Sequence, residues 1–195
     1  MSTSPEEGDA PGRAVDHGAV ARATALAMLT GAPRSRAQLA QAMAEKDVPP
    51  EVADAVLDRY VEVGLIDDAE YARILVRSRH ANRGLSRRAL ALELSHAGIG
   101  DELAADALGT LDADTEQDTA RRLARRRLAS ATGLTREVRL RRVVAMLARK
   151  GYSTELAVRI VRELLDEEEL AAGTGPSGEN GAGMDSSDDW SFEDD

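Results

Sequence analysis

The stretch LALELSHAGIGDELAADA, residues 90–107, places Leu90, Leu94, Ile99, Leu103 and Ala107 at relative positions 0, 4, 9, 13 and 17. A spacing of four marks one face of a helix, so the first pair and the last pair read as two apolar helix faces. Gly98, just before the third member, supplies the permissive backbone that a sharp turn needs. Outward from this stretch the same intervals recur twice. Leu39, Met43, Val48, Val52 and Val56 repeat them upstream, and Val143, Leu147, Tyr152, Leu156 and Ile160 repeat them downstream, at offsets of 51 and 53 residues. The residue before the third member is Asp47, Gly98 or Gly151. Self-similarity at this period signals a chain of small units that bury their cores in the same way.

Local signals fill in the unit. Ser35 with Gln38 and Asp67 with Glu70 read as capping boxes, in which a side-chain oxygen takes an orphan N–H and a Gln or Glu returns the bond. Pro49 and Pro50 suit a first helical turn, and Gly64, Gly84, Gly98 and Gly151 stand where left-handed stops are expected. Together these predict helices near 19–30, 35–46, 50–63, 68–83, 86–97, 101–111, 115–130, 136–149 and 153–169. The fold class is therefore all-α: three tandem three-helix, helix-turn-helix-like repeats at 19–66, 67–112 and 113–169, in an elongated arrangement. Acidic ends, 1–18 and 170–195, are expected to be disordered, and the Gly/Ser/Asp/Glu-rich tail has too little apolar surface to offset its ordering entropy.

Composition agrees with helix packing. Within residues 19–165 the aromatic rings are Tyr60, Tyr71 and Tyr152, so the core must be Leu, Val, Ile, Ala and Met rather than the β-branched and aromatic mix of sheets. The chain has no cysteine, which excludes disulfides and thiolate metal sites. No run approaches the roughly 18 apolar residues of a membrane span, and the N-terminus lacks a basic segment followed by an apolar one. The expectation is a cytoplasmic monomer with no membrane contact.

The net charge of −10 hides an asymmetry: residues 1–18 carry −3, residues 166–195 carry −11, and residues 19–165 are left with +4. A helix-turn-helix reading would place the third helix of a unit in the DNA major groove. Glu51, Asp54, Asp58 and Glu62 on one such helix, and Asp101, Glu102 and Asp106 on the next, would be repelled by phosphate. The bases sit elsewhere. Arg73, Arg77, Arg79, Arg83, Arg87 and Arg88 fall in Tyr71–Leu92, a stretch without an acid. Arg121, Arg122, Arg125, Arg126, Arg136, Arg141, Arg142, Arg149 and Lys150, with Arg127 and Arg139 among them, form a second cluster. Ala120, Leu123, Ala124 and Leu128 make the buried stripe of the helix at 115–130, which turns most of its arginines outward. These cations are the candidate binding residues, since guanidinium forks match phosphate or carboxylate bidentately. Few aromatics accompany them, so stacking of single-stranded bases is poorly supported.

The sequence lacks the phosphate-loop pattern G-x-x-x-x-G-K-[ST]. His17, His80 and His96 show no metal-ligand spacing. Asp67 and Asp68 could suggest a metal-dependent nuclease, but a helix start favours negative charge and explains them more simply. No catalytic, cofactor or metal site is expected, and the chain reads as a non-enzymatic binding protein.

Gly64-Leu65-Ile66-Asp67-Asp68-Ala69-Glu70-Tyr71-Ala72, the arginines up to Gly84, Arg87-Arg88, Leu90, Glu93-Leu94 and Gly98-Ile99 resemble the central signature of the RecX regulatory proteins. Pro33 to Leu39 resembles the family's first-unit motif and Leu147 to Ser153 its last, so the resemblance covers roughly residues 20–165. It implies tandem three-helix units lying in the groove of a RecA filament, limiting filament extension and damping strand exchange, ATP hydrolysis and LexA co-cleavage. The implied partners are RecA and its nucleoprotein filament, with weak, sequence-independent binding to single- or double-stranded DNA. A helical regulator contacting duplex through basic helices is the competing reading. Gln38 departs from the family pattern, standing where an acid is common, and the acidic ends have no typical counterpart.

Overall fold

A computed structural model describes residues 16–173; most of the two ends expected to be disordered lies outside the described residues. Nine α-helices and no strand occur among them: α1 His17–Gly31, α2 Arg36–Ala44, α3 Pro50–Glu62, α4 Asp68–Arg83, α5 Arg87–His96, α6 Asp101–Gly109, α7 Ala113–Ala129, α8 Arg136–Arg149 and α9 Thr154–Gly173. Each consecutive trio closes around its own apolar core. Leu39, Met43 and Leu57 centre the first, Leu90 and Leu94 the second, and Leu128, Val143, Leu147 and Ile160 the third. All fifteen template positions lie in or against these cores, with Val52, Leu103 and Leu156 at the half-buried fourth position in each unit. The residues before the third position are left-handed throughout, with φ of 56° at Asp47, 73° at Gly98 and 91° at Gly151.

The ends of the body correct the sequence expectation. Asp16 caps α1 by accepting the Ala19 N–H at 2.9 Å, so residues 16–18 are ordered. At the other end α9 runs to Gly173, because Ala171 and Ala172 are strong helix formers and the stop residue comes only afterwards. Residues 170–173 are therefore helix and not tail. Asp166, Glu167, Glu168 and Glu169 lie inside this helix, and their four charges cancel the +4 of residues 19–165. The folded body from 19 to 173 is neutral overall, with its charge segregated rather than in excess.

Polar joints connect the units. Gly98, in the turn of unit two, sits on α2 so closely that an added Cβ would fall on the Ala37 Cβ. The buried Ser35 hydroxyl donates to the Ala97 carbonyl at 2.5 Å, while Asp68 accepts the Arg36 N–H at 2.8 Å. The next joint copies the first. Gly151 packs on Ser86 and Ala89, where a Cβ would lie 2.7 Å from the Ala89 Cβ, and the Ser86 N–H donates to the Lys150 carbonyl at 3.0 Å. The Tyr152 hydroxyl donates to the Gly84 carbonyl at 3.1 Å, and burial pushes this phenol well above its ordinary range. His80, also buried, bridges the Leu85 carbonyl at 2.9 Å and the Thr119 hydroxyl at 3.0 Å; since a carbonyl only accepts, its Nδ1 carries a proton.

Candidate functional site

The arginines of unit two lie on α4 and at the start of α5, helices whose buried faces are set by Ala72, Val76 and His80 and by Leu90 and Leu94. The acid-free stretch proves to be bracketed by acids that fold onto it. Glu70 pairs with Arg73 at 2.9 Å and reaches Arg77 at 3.9 Å; Glu93 pairs with Arg79 at 3.2 Å and with Arg83 at 2.6 Å. Only half of the expected capping box forms here. Asp67 accepts the Glu70 N–H at 2.8 Å, but the Glu70 carboxylate turns to the arginines instead of returning the bond. The Ser35 box is complete, and Gln38 suits its place because its amide both accepts the Ser35 N–H and donates to the Tyr71 hydroxyl at 3.2 Å.

In unit three the acids of α9 cover part of the ridge. Glu163 and Glu167 pair with Arg121, and Glu167 with Arg125 at 3.4 Å. Arg136 at the start of α8 binds Asp166 and Glu169, which hold its guanidinium pKa above the ordinary value. Arg139 meets Glu168 at 2.7 Å and the Leu128 carbonyl at 3.4 Å. The ridge is thus divided. Seven of the fifteen candidate cations, Arg73, Arg77, Arg79, Arg83, Arg121, Arg125 and Arg136, have a carboxylate within ion-pair distance. The other eight have none among the described residues. Of these, Arg88, Arg126, Arg141, Arg142 and Arg149 are exposed. Arg87 donates to the Leu111 carbonyl at 2.6 Å, Arg122 to the Thr119 hydroxyl at 3.2 Å, and Lys150 to the Arg83 carbonyl.

The joint between units two and three brings the two clusters together. Lys150 bridges back to the last turn of α4, and its carbonyl receives Ser86, the residue preceding Arg87 and Arg88. Arg83, Arg87, Arg88, Arg149 and Lys150 therefore emerge around one seam, although the nearest members of the two groups, Arg88 and Arg149, are 61 positions apart (149 − 88). Arg122 faces the same seam, where its charge is felt by the Tyr152 hydroxyl. Sequence reasoning missed the acids opposite these cations, since Glu163 and Glu167 lie 42 residues from their partners; only Glu70 with Arg73, at i,i+3, was locally legible. No group of three or more His, Cys, Asp or Glu residues among the described residues could hold a metal ion. No helix among them is long and apolar enough to cross a membrane.

Comparisons with known proteins follow the same division into three. Models of the RecX first, second and third three-helix domains match residues 21–59, 67–108 and 114–161. Regulatory protein RecX of Thermobifida fusca is 53% identical over 148 residues, covering 76% of this chain and 80% of that protein. RecX of Streptomyces coelicolor is 48% identical over 167 residues, covering 86% and 87%. The crystal structure of RecX from Lactobacillus salivarius superposes with a TM-score of 0.66 at 22% identity, over 76% of this chain and 97% of that one, a likeness of fold. Matches to all three unit models, in order and over most of its length, make this chain a member of the RecX family of regulatory proteins.

Proposed function

We propose that this chain binds RecA recombinase and RecA–DNA filaments and mainly inhibits their strand exchange, ATP hydrolysis and co-protease activity, working as a cytoplasmic monomer. Membership in the RecX family supports the choice of partner. The observation that carries the mode of binding is the seam of units two and three, where unpaired cations from two distant segments converge. Five of the eight cations without a carboxylate partner, Arg87, Arg88, Arg122, Arg149 and Lys150, stand at this seam, and together with the exposed Arg126, Arg141 and Arg142 they are the primary contacts with DNA phosphates in the filament. The seven paired arginines are a reserve, because exposed ion pairs are worth only about 0–1 kcal/mol and exchange readily for phosphate. Binding through phosphates is insensitive to sequence and falls steeply with salt through counterion release. The acidic α3 and α6 argue against duplex readout by the third helix of units one and two.

The test is RecA ATPase on single-stranded DNA titrated with this protein. Substoichiometric protein should slow hydrolysis; unchanged rates at equimolar protein would reject the function. Reversal of Arg88, Arg126, Arg142 and Arg149 to glutamate should abolish inhibition with melting preserved, since solvent-facing changes alter stability little. Reversal of Arg73 and Arg77 should have a smaller effect.

A further inference from the structure

The molecule also has a surface of opposite character. Between α3 and the start of α4, where unit one meets unit two, lies a cleft of about 710 Å³. Its apolar wall is made by Val61, Ile66 and Leu103, and its rim by the carboxylates of Asp58, Glu62, Asp67 and Asp68. Arg36, the cation lining the cleft, is already bound by Asp54 at 3.3 Å and Asp58 at 2.5 Å. Asp67 and Asp68 each commit one oxygen to a backbone N–H, which leaves the second oxygen of each available. Three large aliphatic side chains follow one another along this edge, Val61 at 46%, Val63 at 49% and Leu65 at 50% exposure. At the end of unit two the same positions, 51 residues on, are Asp112, Asp114 and Glu116. Aliphatic side chains grouped at a cleft and ringed by charge of one sign mark an interaction site rather than ordinary surface.

We propose that this cleft is a protein-docking site for a basic segment of the recombinase, in which an aliphatic or aromatic anchor enters against Val61 and Leu103, beside the exposed Leu65, and flanking Lys or Arg side chains meet Asp67, Asp68 and Glu62, the last in exchange for Arg59. The proposal rests on the RecA reading above and assigns the two charged faces separately: carboxylates to protein, seam cations to phosphate. Phosphate is excluded by the sign of the rim. The chain's own ends are excluded on the same ground, since residues 1–15 carry three acids against Arg13, and 174–195 carry acids without a base. Charge complementarity of this kind fixes partner and register, while the buried anchor supplies the affinity.

The experiment measures binding of the full chain to DNA-free RecA and, separately, to bare single-stranded DNA, with sedimentation of the protein alone. Two variants are compared with wild type: Val61→Ser with Leu65→Ser, and Glu62→Arg. Both alter exposed side chains, so their melting should match wild type, and each checks the other. The proposal expects each variant to lose at least about tenfold in affinity for RecA, a loss of about 1.4 kcal/mol or more. Affinity for DNA should be unchanged or, for Glu62→Arg, raised. Equal RecA affinity for wild type and both variants would overturn the docking site while leaving the RecA reading intact. Absence of RecA binding by wild type would overturn both. A wild-type dimer that the variants dissociate would overturn the proposal in favour of a second copy as occupant.

Discussion

Gly64 and Gly98 offer a controlled comparison, because both adopt φ of 73° and they differ only in what surrounds the missing side chain. A Cβ at Gly64 would meet nothing within 4 Å. Gly64→Ala therefore reports the left-handed backbone alone, about 1–2 kcal/mol for a residue with a Cβ. Gly98→Ala carries the same backbone cost and adds a Cβ that overlaps the Ala37 Cβ. Helix α2 cannot yield locally, since Leu39 and Met43 lock its other face into the first core. The joint must open instead, which breaks the bond from Ser35 to the Ala97 carbonyl and leaves the proton of a buried hydroxyl without its acceptor, although its oxygen still accepts the Gln38 N–H. Such a loss costs about 1–3 kcal/mol, so Gly98→Ala should be worse than Gly64→Ala by that difference. For a unit of this size the gap is about 4–8 °C per kcal/mol in the melting of the affected units, measured by circular dichroism or calorimetry. Ala37→Gly should recover the steric part when combined with Gly98→Ala, though alone it costs about 0.5–1 kcal/mol as a helix-interior glycine. Identical melting of Gly64→Ala and Gly98→Ala, or no rescue by Ala37→Gly, would show that the turn does not bear on α2.

Replacing Asp166, Glu167, Glu168 and Glu169 with their amides should release Arg125, Arg136 and Arg139 and loosen Arg121, strengthening DNA binding at low salt. By anisotropy across a salt series, the slope of log K should steepen by up to about 0.7 per phosphate newly engaged on a single strand, and an unchanged slope would mean these arginines never reach phosphate. Asp112, which caps α7 by accepting the Thr115 N–H at 2.6 Å, is held below its ordinary pKa of 3.8 by that bond. A lowered folded value means the carboxylate stabilises the fold above pH 3.8 and the contribution fades as pH falls through the folded value. Asp112→Asn keeps a capping oxygen, so its melting temperature should decline less than wild type on acidification; parallel curves would deny Asp112 a part in the acid transition.

The three-unit fold was legible because its determinants are local and repeated. Leu90, Leu94 and Ile99 declare a helix face and the plug beneath the next turn, and the template holds wherever the same volumes recur. Helix starts were less legible at the ends. Asp16 lies beside the polar first segment, and only its bond to Ala19 distinguishes it from that segment. The candidate cations were legible as a composition but not as a surface, for whether Arg125 faces solvent or Glu167 depends on how α9 crosses α7. Splitting the charge at residue 165 counted Asp166 to Glu169 with the C-terminal segment although the helix expected at 153–169 already held them, and nothing local told that this helix carries them back over the ridge. Ser35 was read as a cap, which it is. Its second role, donating across the joint to a carbonyl 62 residues away, has no local signature.

The joints also give the array a direction and a length. Each is made of a turn in one unit and the start of the middle helix in the unit before it, so a unit has a knob on one side and a socket on the other. Unit one, with no unit before it among the described residues, can place Asp47 where the other knobs need glycine, because no helix lies against that turn's missing space. In unit three the position four residues before the template, occupied by serine in the other two, is Arg139, whose guanidinium is turned to Leu128 and Glu168. Neither end can then accept another copy without changing these residues, whereas a copy of unit two inserted between its neighbours would meet a fitting partner on both sides. If the proposed filament is the partner, a longer reader would be engineered by duplicating the middle unit.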